Sequence, residues 1–285
     1  MSPEPASSQE GKGSEPKPTF TPRPSTDAAN LPHIQRVLVV MSGKGGVGKS
    51  TVALNLALAL RKQGLSVGLA DLDITNPNTP RMTGLSEFHF NQAGGMSPPE
   101  VEGVSIASTQ FLTPPGEALV WRGPMKQKMI AQLLSRVSWP RLDVLVADLP
   151  PGTGDEPLSV AQLLPNKAEA VLVTTPQTVA TEDLQRSFAF TEKVGMPVAG
   201  VVENMSSFTC GCGREHDLFG SGGGRILAEE LGVTFLGSVP IDPRIVEQGD
   251  AGKPIVLADP EAPAAQAFTA MADRIARAWE GEDEA

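Results

Sequence analysis

Cysteine is almost missing from this 285-residue chain: there are two, and they stand two positions apart. That excludes a scaffold stapled by disulfides and makes a reducing, cytoplasmic setting the expectation. Long apolar runs are missing as well. No stretch approaches the roughly 18 residues of a membrane span, and the N-terminus lacks the apolar core of a signal peptide. Basic charge is also short, with 23 Lys and Arg against 33 Asp and Glu and a formal net charge of −10. An acidic chain is a poor non-specific ligand for nucleic acid, so neither nucleic acid nor a membrane is expected as a partner. What is present, 40% hydrophobic and 20% charged residues, suits a soluble globular protein with a sizeable core.

Residues 1–32 are rich in Pro, Ser, Glu, Gly and Lys and almost without apolar side chains. Such a segment cannot bury enough surface to offset the entropy of ordering it. A disordered tail is therefore expected at 1–32, with a short Pro-rich binding motif as the weaker reading. The main domain is expected over 33–280, followed by a short acidic tail at 281–285.

The most informative stretch opens that domain. Val37–Met41 is a continuous apolar run, the pattern of a strand buried on both faces. Gly43-Lys44-Gly45-Gly46-Val47-Gly48-Lys49-Ser50 comes next and satisfies the G-x-x-x-x-G-K-[ST] phosphate-loop pattern. Thr51 to Lys62 then reads as a helix that Gly64 can end. Glycines let backbone N–H groups approach phosphate oxygens, and a helix N-terminus adds partial positive charge. Lys49 is placed to reach the β- and γ-phosphates, and the Ser50 hydroxyl to ligate Mg²⁺. Strand, loop and helix come in the required order, so Gly43–Thr51 is read as an ATP site.

Further strands are expected at Ser66–Asp71, Leu142–Asp148, Ala170–Thr175, Pro197–Glu203 and Phe235–Val239. Helices are expected at Lys126–Val137, Asp155–Leu164, Val179–Val194 and Pro260–Trp279. This alternation predicts a doubly wound α/β fold with a mostly parallel sheet. Two strands end in acids, Asp71-Leu72-Asp73 and Asp148, at the sheet edge where such folds bind ligands. Asp148 has the Walker B position and would hold Mg²⁺ through water. Ile74–Pro80 and Leu149–Gly154 are turn-rich and read as the two switch loops. Thr83–Pro115 shows little periodicity, with an edge strand at Val101–Ser108, and Trp121 reads as a core or hinge aromatic. The last helix has an alanine-rich face and four acids among the final six residues, unlike a basic membrane-targeting helix.

Lys44 is a second lysine that an ordinary phosphate loop does not require. With it, Lys44–Ser50 resembles the deviant loop of the family that includes MinD, ParA and nitrogenase iron protein. The resemblance implies a homodimer closed around ATP, in which Lys44 reaches the partner's phosphates. It also implies that Asp73 orients or activates the attacking water, while Asp71 supports Mg²⁺ or the first switch loop. Trp121-Arg-Gly-Pro-Met125, Asp148-Leu-Pro-Pro-Gly-Thr-Gly-Asp155 and Asn204-Met-Ser206 together resemble the Mrp/ApbC branch, ATP-dependent iron–sulfur cluster carriers, over about Arg36–Leu257. That resemblance implies slow ATP hydrolysis coupled to receiving a cluster from scaffold proteins and passing it to apoproteins. It further implies that Asn204 hydrogen-bonds the adenine edge and that Asp242 lies in a second adenine-side loop, Pro240–Arg244. The competing reading is a ParA/MinD-like spatial switch that carries no cluster.

Both cysteines fall in Phe208-Thr-Cys210-Gly211-Cys212-Gly213-Arg-Glu-His216, and metal binding is the leading reading. A redox disulfide is expected to be poor, because cysteines two apart close a small ring. In an extended strand, residues two apart share a face, and the glycines permit positive φ. The branch usually carries Cys-x-x-Cys, one residue longer, so a [4Fe–4S] cluster, a [2Fe–2S] cluster and zinc all stay open. His216 is a candidate third ligand only for a zinc-type site. A [4Fe–4S] cluster ordinarily takes four cysteines, so with two per chain it would have to bridge two chains.

Overall fold

The computed structural model describes Leu31 and residues 33–90, 95–112 and 123–283. The expected N-terminal tail, Leu31 apart, lies outside the described residues, as do Trp121, Arg122 and residues 284 and 285. The chain runs β1 (Ile34–Ser42), α1 (Lys49–Lys62), β2 (Val67–Asp71), α2 (Thr79–Thr83), β3 (His89–Phe90), β4 (Met96–Ser97), β5 (Glu100–Val101) and β6 (Val104–Ser108). It continues through α3 (Gly123–Arg136), β7 (Leu142–Asp148), α4 (Asp155–Leu163), β8 (Ala168–Thr174), α5 (Thr178–Val194), β9 (Val198–Thr209) and β10 (Glu215–His216). The last elements are α6 (Gly223–Leu231), β11 (Phe235–Ile241), α7 (Pro243–Asp250), α8 (Ile255–Ala258) and α9 (Pro263–Asp283).

One large sheet has the order β10-β9-β8-β1-β7-β2-β6-β5, with β11 also paired to β9. Its central pairs are parallel, and only β5 and β10 join antiparallel. This is the expected doubly wound fold. β1 lies between β7 and β8, where the strand order reverses direction, so the loop after β1 opens into the crevice typical of such a switch point.

The central strands are apolar on both faces because helices cover both. From Val37 to Met41 every residue of β1 is fully buried. α1 is unusual in being apolar nearly all round: Val52 to Leu60 are all buried, Asn55 included. It packs between the sheet and α9, so both sides of the helix need apolar residues. Burying each of its leucines is worth roughly 1.5–3 kcal/mol, which fixes the start of α1 firmly under the phosphate loop. Asn55 is satisfied by donating to the Thr51 carbonyl at 2.9 Å and accepting from the Val256 N–H at 3.2 Å.

Two expectations shift. Val101–Ser108 was expected as one edge strand, but Glu102 (φ 47°) and Gly103 (φ 78°) make a tight turn that splits it. The result is a hairpin in which β6 lies inside the sheet, parallel to β2, and two-residue β5 forms the edge. β9 runs six residues past its expected end at Glu203, because β11 and β10 give its far half partners.

Candidate nucleotide and cysteine sites

The phosphate loop leaves β1 at Ser42 and enters α1 at Lys49. Gly46 and Gly48 have φ of 84° and 82°, a region closed to most residues, and they turn the loop into the helix. Gly43 is required for another reason: a Cβ there would collide with the backbone of Asp183 in α5. α1 has no acid in its first turn, so its leading N–H groups, which lack intrahelical acceptors, remain available to an anion. A cavity of about 660 Å³ opens over them, within the size range of small-ligand pockets. It is lined by Lys44–Gly46, Gly48–Thr51, Asp73, Asn76, Asn78 and Pro151, and on the far side by Ile245, Val246 and Gly249 of α7.

The charged groups converge beneath it. Lys49 is buried and ion-paired with Oδ1 of the fully buried Asp148. The other carboxylate oxygen, Asp148 Oδ2, is buried without a hydrogen-bond partner among the described residues. A buried unpartnered anionic oxygen is costly and fits a Walker B carboxylate that holds a hydrated cation. Ser50 lies at the same cavity wall, so the residues present suit Mg²⁺.

Asp71 faces the loop between β2 and α2. Its Oδ1 accepts from the Asp73 N–H at 3.3 Å, and its Oδ2 from the Thr79 N–H at 3.1 Å and the Ser108 hydroxyl at 3.5 Å. Burial, and then the neighbouring Asp148 charge, push its carboxyl up to about 8. Asp73 lies at the cavity wall, where Oδ1 accepts from the Asn76 N–H at 3.1 Å. Burial raises its pKa above the usual carboxylate value, toward that of a more effective base near neutrality.

Asp71 carries a stability consequence. With its folded-state pKa raised above the unfolded value of 3.8, the folded form binds the extra proton between the two. Its favourable contribution is complete below the unfolded value and is lost as pH rises through about 8. Asp71→Asn cannot ionise, so its melting temperature, compared with wild type by nucleotide-free thermal unfolding, should gain a few degrees between acidic pH and pH above 8. A difference independent of pH would show that Asp71 does not titrate in this range.

Lys44 reaches sideways to Gln177 Oε1 at 3.4 Å rather than across its own cavity. Asn204 is buried against the loop and donates to the Val47 carbonyl at 2.8 Å. Asp242 lies outside the cavity lining. It caps α7 and is clamped by the Arg244 guanidinium, which holds its carboxyl below the usual range. The structure thus brings Lys49, Ser50, Asp71, Asp73, Asp148 and Asn204 together around one loop and leaves Asp242 occupied elsewhere. The side chains of Asn76, Asn78, Ile245 and Val246 escaped the sequence reading. Only the turn-rich character of 74–80 hinted at the first two, and beyond Arg244 α7 carries no motif.

Cys210 and Cys212 sit in the turn joining β9 to β10. Gly213 (φ 80°) donates to the Cys210 carbonyl at 2.8 Å, and Cys210 N–H donates to the Arg214 carbonyl at 2.9 Å. The segment is thus a turn and not an extended strand. It brings the Cα atoms to 5.3 Å, and the two sulfurs are paired as a disulfide. Such a Cα separation is ordinary for a disulfide. Cys210 is half-buried and Cys212 exposed, with exposed Leu218, Phe219 and Ile226 beyond them. His216 is exposed in β10, and no group of three or more His, Cys, Asp or Glu suited to a metal occurs among the described residues.

Loop, buried lysine and strand-end acids in a doubly wound sheet define a P-loop nucleotide-binding protein. The family model described as NUBPL iron-transfer P-loop NTPase, of the ParA group, matches residues 33–276, and the chain belongs to that family. It is 44% identical over 257 residues to the iron–sulfur cluster carrier protein of Synechocystis, covering 88% of this chain and 72% of that one. It is 46% identical over 249 residues to the protein of the same name from Deinococcus radiodurans, covering 86% and 70%. Among solved structures, a nucleotide-binding protein of Archaeoglobus fulgidus in complex with ADP superposes with TM-score 0.68 at 38% identity, covering 78% and 88%. The cell division ATPase MinD of Pyrococcus furiosus shares the fold, with TM-score 0.65 at 24% identity, covering 86% and 99%. No described helix is long and apolar enough to cross a membrane.

Proposed function

We propose that this protein is a cytoplasmic, ATP-hydrolysing carrier of an iron–sulfur cluster that works as a homodimer. The cluster is cargo, taken from a scaffold protein and passed to apoproteins. The observation that carries this reading is the placing of the cysteine pair. β9 touches the phosphate loop through Asn204 and, six residues on, ends in the exposed Cys210–Cys212 turn. A nucleotide site and a thiol pair at two points of one strand, in a chain of an iron-transfer family, suit carriage governed by ATP.

The α1 N-terminus and Lys49 bind the phosphates, and Asn204 steadies the loop from behind. Mg²⁺, held by Ser50 and by Asp148 through water, would supply charge neutralisation at the phosphates. Asp71 fixes the 73–79 loop, and Asp73 takes a proton from the attacking water. Lys44, half-buried at the cavity mouth, reaches toward a partner's nucleotide. With the disulfide reduced by two electrons and two protons, each chain offers two thiols. Two copies supply the four that a [4Fe–4S] cluster ordinarily takes, and Leu218, Phe219 and Ile226 would be covered where the copies meet.

Asp73→Asn should keep Mg-ATP affinity and lose hydrolysis by about 10²-fold or more. Phosphate release and equilibrium binding, measured on the same preparation, check this. Wild-type turnover in the variant would remove Asp73 from the water-activating role. The carrier function itself is tested by anaerobic reconstitution with iron and sulfide under a thiol reductant. Visible charge-transfer absorption that survives gel filtration is expected. A colourless product without iron would favour a spatial switch without cargo.

A further inference from the structure

Asn204 holds the phosphate loop, and the two residues after it, Met205 and Ser206, form an irregular joint in β9. β9 pairs with β8 as far as Glu203 and with β11 as far as Asn204, each pairing having one earlier irregularity, between Ala170 and Val171 and between Phe235 and Gly237. Beyond that the register slips: Val239 pairs with Asn204, yet Ile241, two residues on, pairs with Phe208, four residues on. Two extra residues of β9 are thus taken up in a bulge, which bends a strand and re-aims the residues beyond it. Within it Met205 has φ 57°, a left-handed conformation that is costly for any residue with a Cβ.

The surroundings hold that conformation from several sides. Asn204 donates to the Val47 carbonyl at 2.8 Å, and the Met205 methyl lies 3.7 Å from where a Cβ on Gly48 would stand. Ser206 Oγ donates to the Val239 carbonyl at 3.2 Å. Upstream the strand is clamped, because buried Glu203 accepts from the Gly224 N–H at 2.7 Å. Downstream it is stiff again: Phe208 pairs with both Ile241 and His216, and Thr209 with Glu215, directly before Cys210.

We propose that Met205 is a positioning residue, a strained joint in β9 that aims the Cys210–Cys212 turn according to what occupies the phosphate loop. Gly48 lines the nucleotide cavity, and its Val47 neighbour is held by Asn204. A shift of these two residues reaches the joint directly. Since Glu203 is fixed, the displacement passes outward along the paired end of β9 to the cysteines. Coupling of this kind is reciprocal, so holding the turn in one arrangement changes nucleotide affinity by the same factor. The inference deepens the carrier reading at the same site, but its test needs no cluster and fails independently of it.

The test measures the rate at which the reduced cysteines react with an aromatic disulfide reagent, with and without saturating Mg-ADP. Wild type is expected to show at least about a fivefold change, the lower end of allosteric coupling. The change should not depend on protein concentration, which separates it from shielding by a second copy. Met205→Gly, which adopts the left-handed conformation freely and removes the methyl from Gly48, should bring the ratio below about twofold. Met205→Leu keeps the bulk and the backbone cost and should keep the ratio. Circular dichroism establishes that each variant is folded. Should Met205→Gly not fold, Ser206→Ala, which frees the outer clamp, is expected to lower the ratio in its place. A wild-type change below about fivefold, a change that grows with protein concentration, or a folded Met205→Gly (or Ser206→Ala, where it stands in) that keeps the wild-type ratio would overturn the proposal.

Discussion

Lys49→Ala is expected to abolish measurable ATP binding and to lower the stability of the ligand-free protein. Lys49 is 7% exposed and is the cation paired with Asp148, itself fully buried beside Asp71. Removing the ammonium takes away the charge that would meet the β- and γ-phosphates. Losing one partner of such a charge pair costs about 2–5 kcal/mol, roughly 30- to 5,000-fold in Kd. It also leaves Asp148 buried with no counter-charge, which destabilises by about 3–5 kcal/mol. Because a partly unfolded variant would also fail to bind, Lys49→Ala/Asp148→Asn is the control. It removes both charges, should recover most of the melting temperature and should still bind no nucleotide. Calorimetric titration with Mg-ATP beside thermal unfolding checks both parts, and near-wild-type affinity in the folded double variant would contradict the assignment.

The second large effect concerns the cargo. Cys210→Ser and Cys212→Ser should each remove the reconstituted cluster, since these are the chain's only cysteines. Nucleotide binding should be unchanged to within about twofold, because neither sulfur lines the nucleotide cavity and a change of that size is below about 0.5 kcal/mol. Both residues sit in a solvent-facing turn whose backbone bonds do not involve the sulfurs, so the variants should fold. Iron retained by the double serine variant would show that the cargo is held elsewhere.

The phosphate loop was legible in the sequence because its requirements are local. Positive φ at Gly46 and Gly48, a buried strand before and a helix after are all written within about fifteen residues. Asp148 and the D-x-D pair were legible for a related reason, since apolar runs ending in acids mark strand ends in a parallel sheet. The features that escaped depend on pairing between distant segments. β9 reads as ending at Glu203, and only β10 and β11, which lie later in the chain, extend it to Thr209. The cavity wall from α7 is likewise a product of packing, because nothing local to Ile245 and Val246 marks them as facing a ligand. The cysteine spacing showed that the two thiols belong together. It did not show that the backbone there turns, because that is fixed by hydrogen bonds to Arg214 and Gly213 and by the β9–β10 pairing.

The proposed carrier stands or falls on two copies of the chain holding one cluster between their cysteine pairs. Iron and acid-labile sulfide analysis of the anaerobically reconstituted protein tests this, with its mass in solution measured on the same fraction by light scattering. The expected result is a dimer carrying one [4Fe–4S] cluster, which is two iron and two sulfide per chain, with all four thiols protected from alkylation. Iron held stably by a monomer, or a dimer that binds zinc and no sulfide, would contradict it.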